Sequence, residues 1–268
     1  MPVFTQKNNT TTPFSIGNID RVHSSILNED RILNVYIPAD YYATDTIQYS
    51  VIYLLDGSSD EDFIHTVGLV QYFNFPWINL FPPSIVVGIA NTERRRDFTS
   101  PSDLKGDMEL IPNAGGSRNF ISFIEKEVQP FINKKYKVNN DRTLIGQSLG
   151  GLLATEIIFT HPELFNRYIV ISPSLWWNDG SWLKSDGDIL KTSYTQTTDI
   201  YIAVGKEGLG YNDHIMEIDA SLLAAKLQQT VSKSVTTYFE YFPDYNHATI
   251  AQPALYNAFK TLYPVSPK

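Results

Sequence analysis

Residues 146–151 read Gly-Gln-Ser-Leu-Gly-Gly. An apolar run ends just before them at Leu144-Ile145, and a helix-like stretch, residues 152–158, follows. Strand, G-x-S-x-G, helix is the sequence form of a sharp turn that lifts one serine hydroxyl, here Ser148, clear of a sheet. Gly146 and Gly150 flank that serine, and a side chain at either is expected to crowd the turn. The chemistry on offer is nucleophilic attack by Ser148. The structural alternative is an ordinary helix N-cap serine.

A neutral serine needs a base to take its proton. His247 sits in a polar turn (residues 241–249) after the last apolar run and before the last helical pattern, so it is the expected base. An imidazole must be neutral to act in this way, so the rate is expected to fall on acidification. His214 is the one competitor, because it shares a loop with the acid candidates. A third group should orient the imidazole. Glu207 lies closest to the strand ending at Val204 and is favoured; Asp213 is the alternative acid. A site working with serine and histidine alone is the remaining option.

The developing oxyanion needs donors. The backbone N–H of Leu149 should supply one. The loop Asp56-Gly57-Ser58-Ser59 should supply the other, from Gly57 or Ser58. Two further groups are candidates for substrate contact. Trp176 and Trp177 follow a strand, where either indole lines a pocket or packs in the core. Arg96, in the run Arg94-Arg95-Arg96, either meets an acidic substrate or pairs with its neighbours Glu93 and Asp97. The aromatic run Tyr72, Phe73, Phe75, Trp77 and Phe81 reads equally as a lid-side wall or as core.

The elements that must position these groups alternate. Strand-like runs occur at residues 33–37, 51–55, 85–90, 143–145, 168–171, 199–204 and 235–241. Several are continuous in Val and Ile, as strands buried on both faces are. Phe120, Phe123, Ile124, Val128 and Phe131 share one face of a helix, which Pro130 should kink or end. Helical spacing recurs over 215–229 and 253–263. Strands alternating with helices predict an α/β fold, a mostly parallel central sheet with helices on both faces and its chemistry at the carboxyl ends of the strands.

The 268 residues carry a net charge of −8, which argues against nucleic acid or an anionic membrane surface as partner. No window approaches the ~18 apolar residues of a membrane span. There is no cysteine, so disulfides and thiolate chemistry are excluded, and the five scattered histidines lack metal-site spacing. No cofactor or metal is expected. Residues 1–12 read as a flexible arm and 13–268 as a single domain. The chain reads as soluble, cytoplasmic or, where a leader has been removed, periplasmic or secreted. Its aromatic content permits a homodimer.

Residues 53–57 (Tyr-Leu-Leu-Asp-Gly), 96–99 (Arg-Asp-Phe-Thr), the serine turn and 171–177 (Ile-Ser-Pro-Ser-Leu-Trp-Trp) together resemble the putative-esterase family of α/β-hydrolases. That family includes esterase D-like enzymes, trilactone siderophore esterases, feruloyl and acetyl-xylan esterases, and mycolyltransferases. The resemblance runs from about residue 15 onward and implies an α/β-hydrolase fold and a serine carboxylesterase working through an acyl-enzyme. Gly205-x-Glu207, followed ten residues later by Glu217, is similar to the acid loop of the siderophore-esterase branch. It implies Ser148, Glu207 and His247 as the triad and a small-molecule or glycan ester as substrate. Siderophore trilactones and acetyl or feruloyl sugar esters stay open at this point. An acyltransferase and a non-catalytic binding protein are the rival readings.

Overall fold

Val51, Tyr53 and Leu55 bury into one apolar cluster, Ile52 and Leu54 into another. That alternation is the two-residue period of a strand covered on both faces, and it explains why the run contains no polar position. The computed structural model describes residues 11–38, 41, 47–208, 210, 211 and 213–263. The expected arm therefore falls outside the described residues, apart from 11 and 12.

In chain order the strands are β1 (Asn18–Ser24), β2 (Glu29–Tyr36), β3 (Tyr49–Leu54), β4 (Ser84–Ile89), β5 (Val138–Gln147), β6 (Arg167–Ile171), β7 (Thr198–Gly205), β8 (Gly210–Tyr211), β9 (His214–Ile215) and β10 (Val235–Phe242). The helices are α1 (Phe63–Asn74), α2 (Arg94–Asp97), α3 (Lys105–Leu110), α4 (Ser117–Phe123), α5 (Gln129–Lys135), α6 (Leu149–Thr160), α7 (Ser181–Lys184), α8 (Met216–Gln228) and α9 (Ala251–Leu262). Eight strands form one sheet in the order β1-β2-β4-β3-β5-β6-β7-β10. β1 and β2 are antiparallel, as are β2 and β4; every other neighbouring pair is parallel. β8 and β9 form a separate short hairpin.

Helices cover both faces. Phe63, Val67, Val70 and Phe73 of α1 pack with Ala254, Leu255, Ala258 and Phe259 of α9 on one side. On the other lie α4, α5, α8 and α6, whose residues are buried almost all round, as befits the central helix of a layer. The aromatic run divides: Phe73 and Phe81 are core, whereas Tyr72 and Trp77 are exposed.

Two elements differ from expectation. Between α4 and α5 the chain makes a π-helical turn, Ile124–Val128, just ahead of Pro130. Proline has no N–H to donate and its ring crowds the carbonyl four residues back. The widened turn absorbs both, so the helix continues to Lys135 instead of ending. β1 escaped the sequence pattern because its buried positions, Asp20 and Ser24, are polar. Asp20 accepts from the Tyr136 hydroxyl at 2.9 Å and pairs with Lys135; Ser24 donates to Glu127.

One close approach positions the loop after β3. A Cβ on Gly57 would lie 2.3 Å from the Gly88 Cα, and a Cβ on Gly88 would lie 2.5 Å from the Gly57 oxygen. The loop can lie against the end of β4 only because both residues lack side chains. Asn34 then ties it down, donating to the Gly57 carbonyl at 2.8 Å.

Candidate active site

Ser148 stands between the end of β5 and the start of α6 with φ 58° and ψ −120°, a conformation that is strained for any residue but glycine. Its N–H donates to Ile171 at 3.0 Å, and its carbonyl accepts from Leu152 at 2.9 Å and Ser174 at 3.0 Å. The turn is therefore clamped from both sides. Gly146 is required, since a Cβ there would meet the Gly150 carbonyl oxygen at 2.3 Å. The expectation for Gly150 is corrected: a Cβ there meets nothing nearer than 3.4 Å, which is ordinary contact. Gly151 is the tighter position, 3.0 Å from the Pro173 Cα.

The His247 Nε2 lies 3.1 Å from the Ser148 Oγ, and its Nδ1 lies 2.7 Å from the Glu207 Oε2. With Nδ1–H donating to the carboxylate, Nε2 is left to accept from the serine hydroxyl. The Glu207 side chain is completely buried, while the imidazole is 29% exposed. The other Glu207 oxygen, Oε1, accepts from the Ser172 hydroxyl and from the Gly205 N–H at 3.3 Å. Each oxygen of the buried Glu207 carboxylate therefore has a partner.

Three ties keep the loops in register. The Gln147 amide donates to the His247 carbonyl at 2.7 Å, linking the serine turn to the histidine loop. The Lys206 N–H donates to the Tyr245 carbonyl at 2.7 Å. Glu217, at the start of α8, accepts from the N–H groups of Glu207 and Gly208. Burial raises the Glu217 pKa, but the N–H donors of Gly208, Glu217 itself and Glu207 outweigh it and hold the carboxyl below its ordinary value.

The alternative acid is elsewhere. Asp213 sits exposed in the β8–β9 turn with φ 66°, and the His247 Nδ1 is taken by Glu207. His214 is also engaged apart from the serine. Its Nδ1 bonds Asp219 at 2.9 Å and its Nε2 lies 3.5 Å from Asp179.

Of the oxyanion candidates, Leu149 opens α6, so its N–H has no partner within the helix. The Gly57 N–H is committed to the Ile89 carbonyl at 3.1 Å, which removes it as a donor; its part is the close backbone approach. The Ser58 N–H points to Glu61 at 3.3 Å, a long and exposed contact, and is the donor left on that loop.

Of the three expected substrate contacts, Trp177 and Arg96 are corrected. Trp177 is 0% exposed and its indole N–H donates to the Ser100 carbonyl at 3.0 Å, so it is core. Trp176 is half-buried against the Tyr211 ring, 5.5 Å between centroids. Neither indole is among the residues lining the cavity at Ser148. Arg96 donates to Asp97 and Glu29, each at 2.7 Å, beside the buried Arg31. Hydrogen bonds to Asp97 and then Glu29 raise its pKa, and its guanidinium is spoken for.

Arg94, two residues earlier, is the cation that faces the site. It grips Asp56 through both carboxylate oxygens, at 2.5 and 2.7 Å. With Glu61, Asp62, Gln147, Ser148 and His247 it lines an open cavity of about 390 Å³. Consecutive helical residues point about 100° apart, so a run of three arginines does not disclose which one turns inward. Ser174 was also missed. Its Oγ lies 3.3 Å from the Ser148 Oγ, in a segment whose polar residues carry no sequence signal of their own. Among the described residues no helix is long and apolar enough to cross a membrane, and no three His, Asp or Glu side chains are grouped to hold a metal.

The model of the family described as "Putative esterase" matches residues 24–262. The ferri-bacillibactin esterase BesA of Bacillus subtilis is 30% identical over 212 residues, covering 74% of this chain and 73% of that protein. Among solved structures, an IroE-like serine hydrolase from Shewanella oneidensis superposes with a TM-score of 0.81 at 28% identity, covering 92% of this chain and 80% of the other. The BES protein from Bacillus cereus gives 0.82 at 26% identity, covering 96% and 100%.

Proposed function

This chain belongs to the putative-esterase family of α/β-hydrolases and is a carboxylic ester hydrolase, and we propose that Ser148, His247 and Glu207 are its catalytic triad. The observation that carries this reading is the continuous relay from the Ser148 Oγ to the His247 Nε2, 3.1 Å, and from the His247 Nδ1 to the Glu207 Oε2, 2.7 Å. His247 takes the hydroxyl proton as Ser148 attacks the ester carbonyl. Glu207 stabilises the imidazolium that forms. The N–H groups of Leu149 and Ser58 receive the oxyanion. Collapse expels the alcohol, protonated by His247, and leaves an acyl-serine. Water then attacks with His247 as base.

For the substrate we propose a small-molecule ester of the siderophore kind, hydrolysed at the open cavity beside Ser148. The likeness to a protein named as a ferri-bacillibactin esterase, over 74% of this chain and 73% of that protein, supports this choice over a sugar ester. The test compares wild type with Ser148→Ala on p-nitrophenyl butyrate, on a siderophore trilactone and on an acetylated xylan oligomer, with fluorophosphonate labelling located by mass spectrometry. Label on Ser148, and turnover abolished in the variant, is the expected result. Turnover unchanged in the variant overturns the triad. Faster cleavage of the xylan ester than of the trilactone overturns the substrate class.

A further inference from the structure

Ser172 follows the last residue of β6 and is completely buried. Its φ is 44°, in the left-handed region where glycine is at ease and other residues are not. Its N–H donates to the Ala203 carbonyl at 2.8 Å, which pins it to β7. Its hydroxyl donates to the Glu207 Oε1. A buried, strained serine where glycine would sit more comfortably marks a position held for its side chain.

The hydroxyl has a definite task. Glutamate reaches one methylene further than aspartate and has one more rotatable bond, so a triad glutamate needs more to hold it. In this site Oε2 faces the imidazole, and Oε1 is held by Ser172 and, at longer range, by the Gly205 N–H. Remove the hydroxyl and the carboxylate is free to turn, and the His247 tautomer loses its anchor. The segment that bears Ser172 also touches the other end of the relay. The Ile171 carbonyl accepts from the Ser148 N–H, and the Ser174 N–H donates to the Ser148 carbonyl.

We propose that Ser172 is a positioning residue that acts through Glu207, and that the strained turn at β6 is retained to deliver its hydroxyl. This rests on the triad reading above. The test is a double-mutant cycle of Ser172→Gly and Glu207→Gln, followed by p-nitrophenyl butyrate turnover and thermal unfolding. Glycine accepts the native φ, so the melting temperature of Ser172→Gly should stay at or near that of wild type while kcat falls about 10- to 100-fold and KM changes little. In the Glu207→Gln background the same change should cost less than about twofold, because the group it serves is already lost.

Wild-type kcat in Ser172→Gly overturns the proposal. So does a full, independent loss in the Glu207→Gln background, or a kcat that falls only as the protein unfolds. If Glu207→Gln itself leaves kcat unchanged, the triad reading fails first and takes this one with it. A large loss in Glu207→Gln beside an unaffected Ser172→Gly rejects Ser172 alone. Ser172→Ala provides a second check: it should lose kcat as the glycine variant does, and a wild-type rate there also overturns the proposal.

Discussion

The carboxylate of Glu217 accepts the backbone N–H of Glu207 at 2.8 Å and that of Gly208 at 2.9 Å, so the side chain of one acid holds the main chain of another. These donors keep Glu217 charged below its ordinary titration range, against the opposing pull of burial. A carboxylate with a depressed folded pKa contributes stability above its unfolded value, near 4.5, and loses it as pH falls through the folded value. Glu217→Ala should therefore melt several degrees below wild type at pH 7. That gap should close as the pH approaches 3. Turnover should fall by about tenfold, because the Glu207 loop is released. A gap in melting temperature that stays constant from pH 7 to 3 would show that the charge does not matter.

The choice of acid is open to direct test. Glu207→Gln preserves shape but removes the charge that steadies the imidazolium, and losses of about 10⁴ in kcat follow from such a change in comparable triads. Asp213→Asn, in the exposed turn, should keep wild-type turnover. The reverse pattern, read from steady-state kinetics, would reassign the triad.

The serine turn makes an unusual demand on its glycines. Gly146→Ala places a methyl 2.3 Å from a backbone oxygen and should fail to give active, folded enzyme. Gly150→Ala meets only ordinary contacts from 3.4 Å outward, and alanine is favoured over glycine in a helix by roughly 0.5–1 kcal/mol. It should retain activity and melt within a few degrees of wild type. Inactive, well-folded Gly150→Ala would mean that the second glycine of the motif serves the substrate and not the turn.

Arg96 and Arg94 should separate stability from catalysis. Arg96→Ala breaks the network with Glu29 and Asp97 and leaves Asp97, 1% exposed, with Arg31 alone. Its melting temperature should fall while the turnover of folded protein holds. Arg94→Ala releases Asp56 in the wall of the cavity beside Ser148 and should lower kcat/KM. Equal kinetic effects of the two variants would contradict the geometry.

A further titration lies far from the triad in function. Glu156, buried on α6, has its pKa pushed up to about 7 by burial, against the hydrogen bond from Ser117 and the charge of Arg118. Its folded state binds the proton more tightly than the unfolded chain, so stability falls as pH rises from about 4.5 to about 7 and is level above that. The span amounts to about 3 kcal/mol. Glu156→Gln should flatten this slope and raise the melting temperature at pH 8. An unchanged slope in chemical unfolding between pH 5 and 7 would place the titration elsewhere.

What could be read in advance follows from where information is local. The serine turn and the buried strands are written in contiguous residues and lie where the pattern put them; the proposed acid and base had to be picked by their place after later strands. Arg94 was passed over for Arg96 because the direction of a side chain on a short helix depends on packing. The Gly57 N–H was offered as a donor because its partner, Ile89, lies on another strand. Trp177 could not be told from a pocket residue, since an indole buries the same area in either place. β1 was silent because polar residues inside a sheet break the apolar rhythm on which such reading depends, and the part played by Ser172 was silent because its partner, Glu207, lies on another loop.

The sheet order has a consequence for the growing chain. Ser148 follows β5 and Glu207 follows β7, but His247 follows β10, the final strand, which joins the sheet at one edge beside β7. Synthesis runs from the amino end, so the proposed nucleophile and acid exist before the proposed base does. On the proposed triad, a nascent or truncated chain that stops short of β10 carries Ser148 without its proton acceptor and should lose most of its activity. With the proposed triad, hydrolysis of an added ester during refolding cannot begin before the edge strand β10 has docked and brought His247 to the serine.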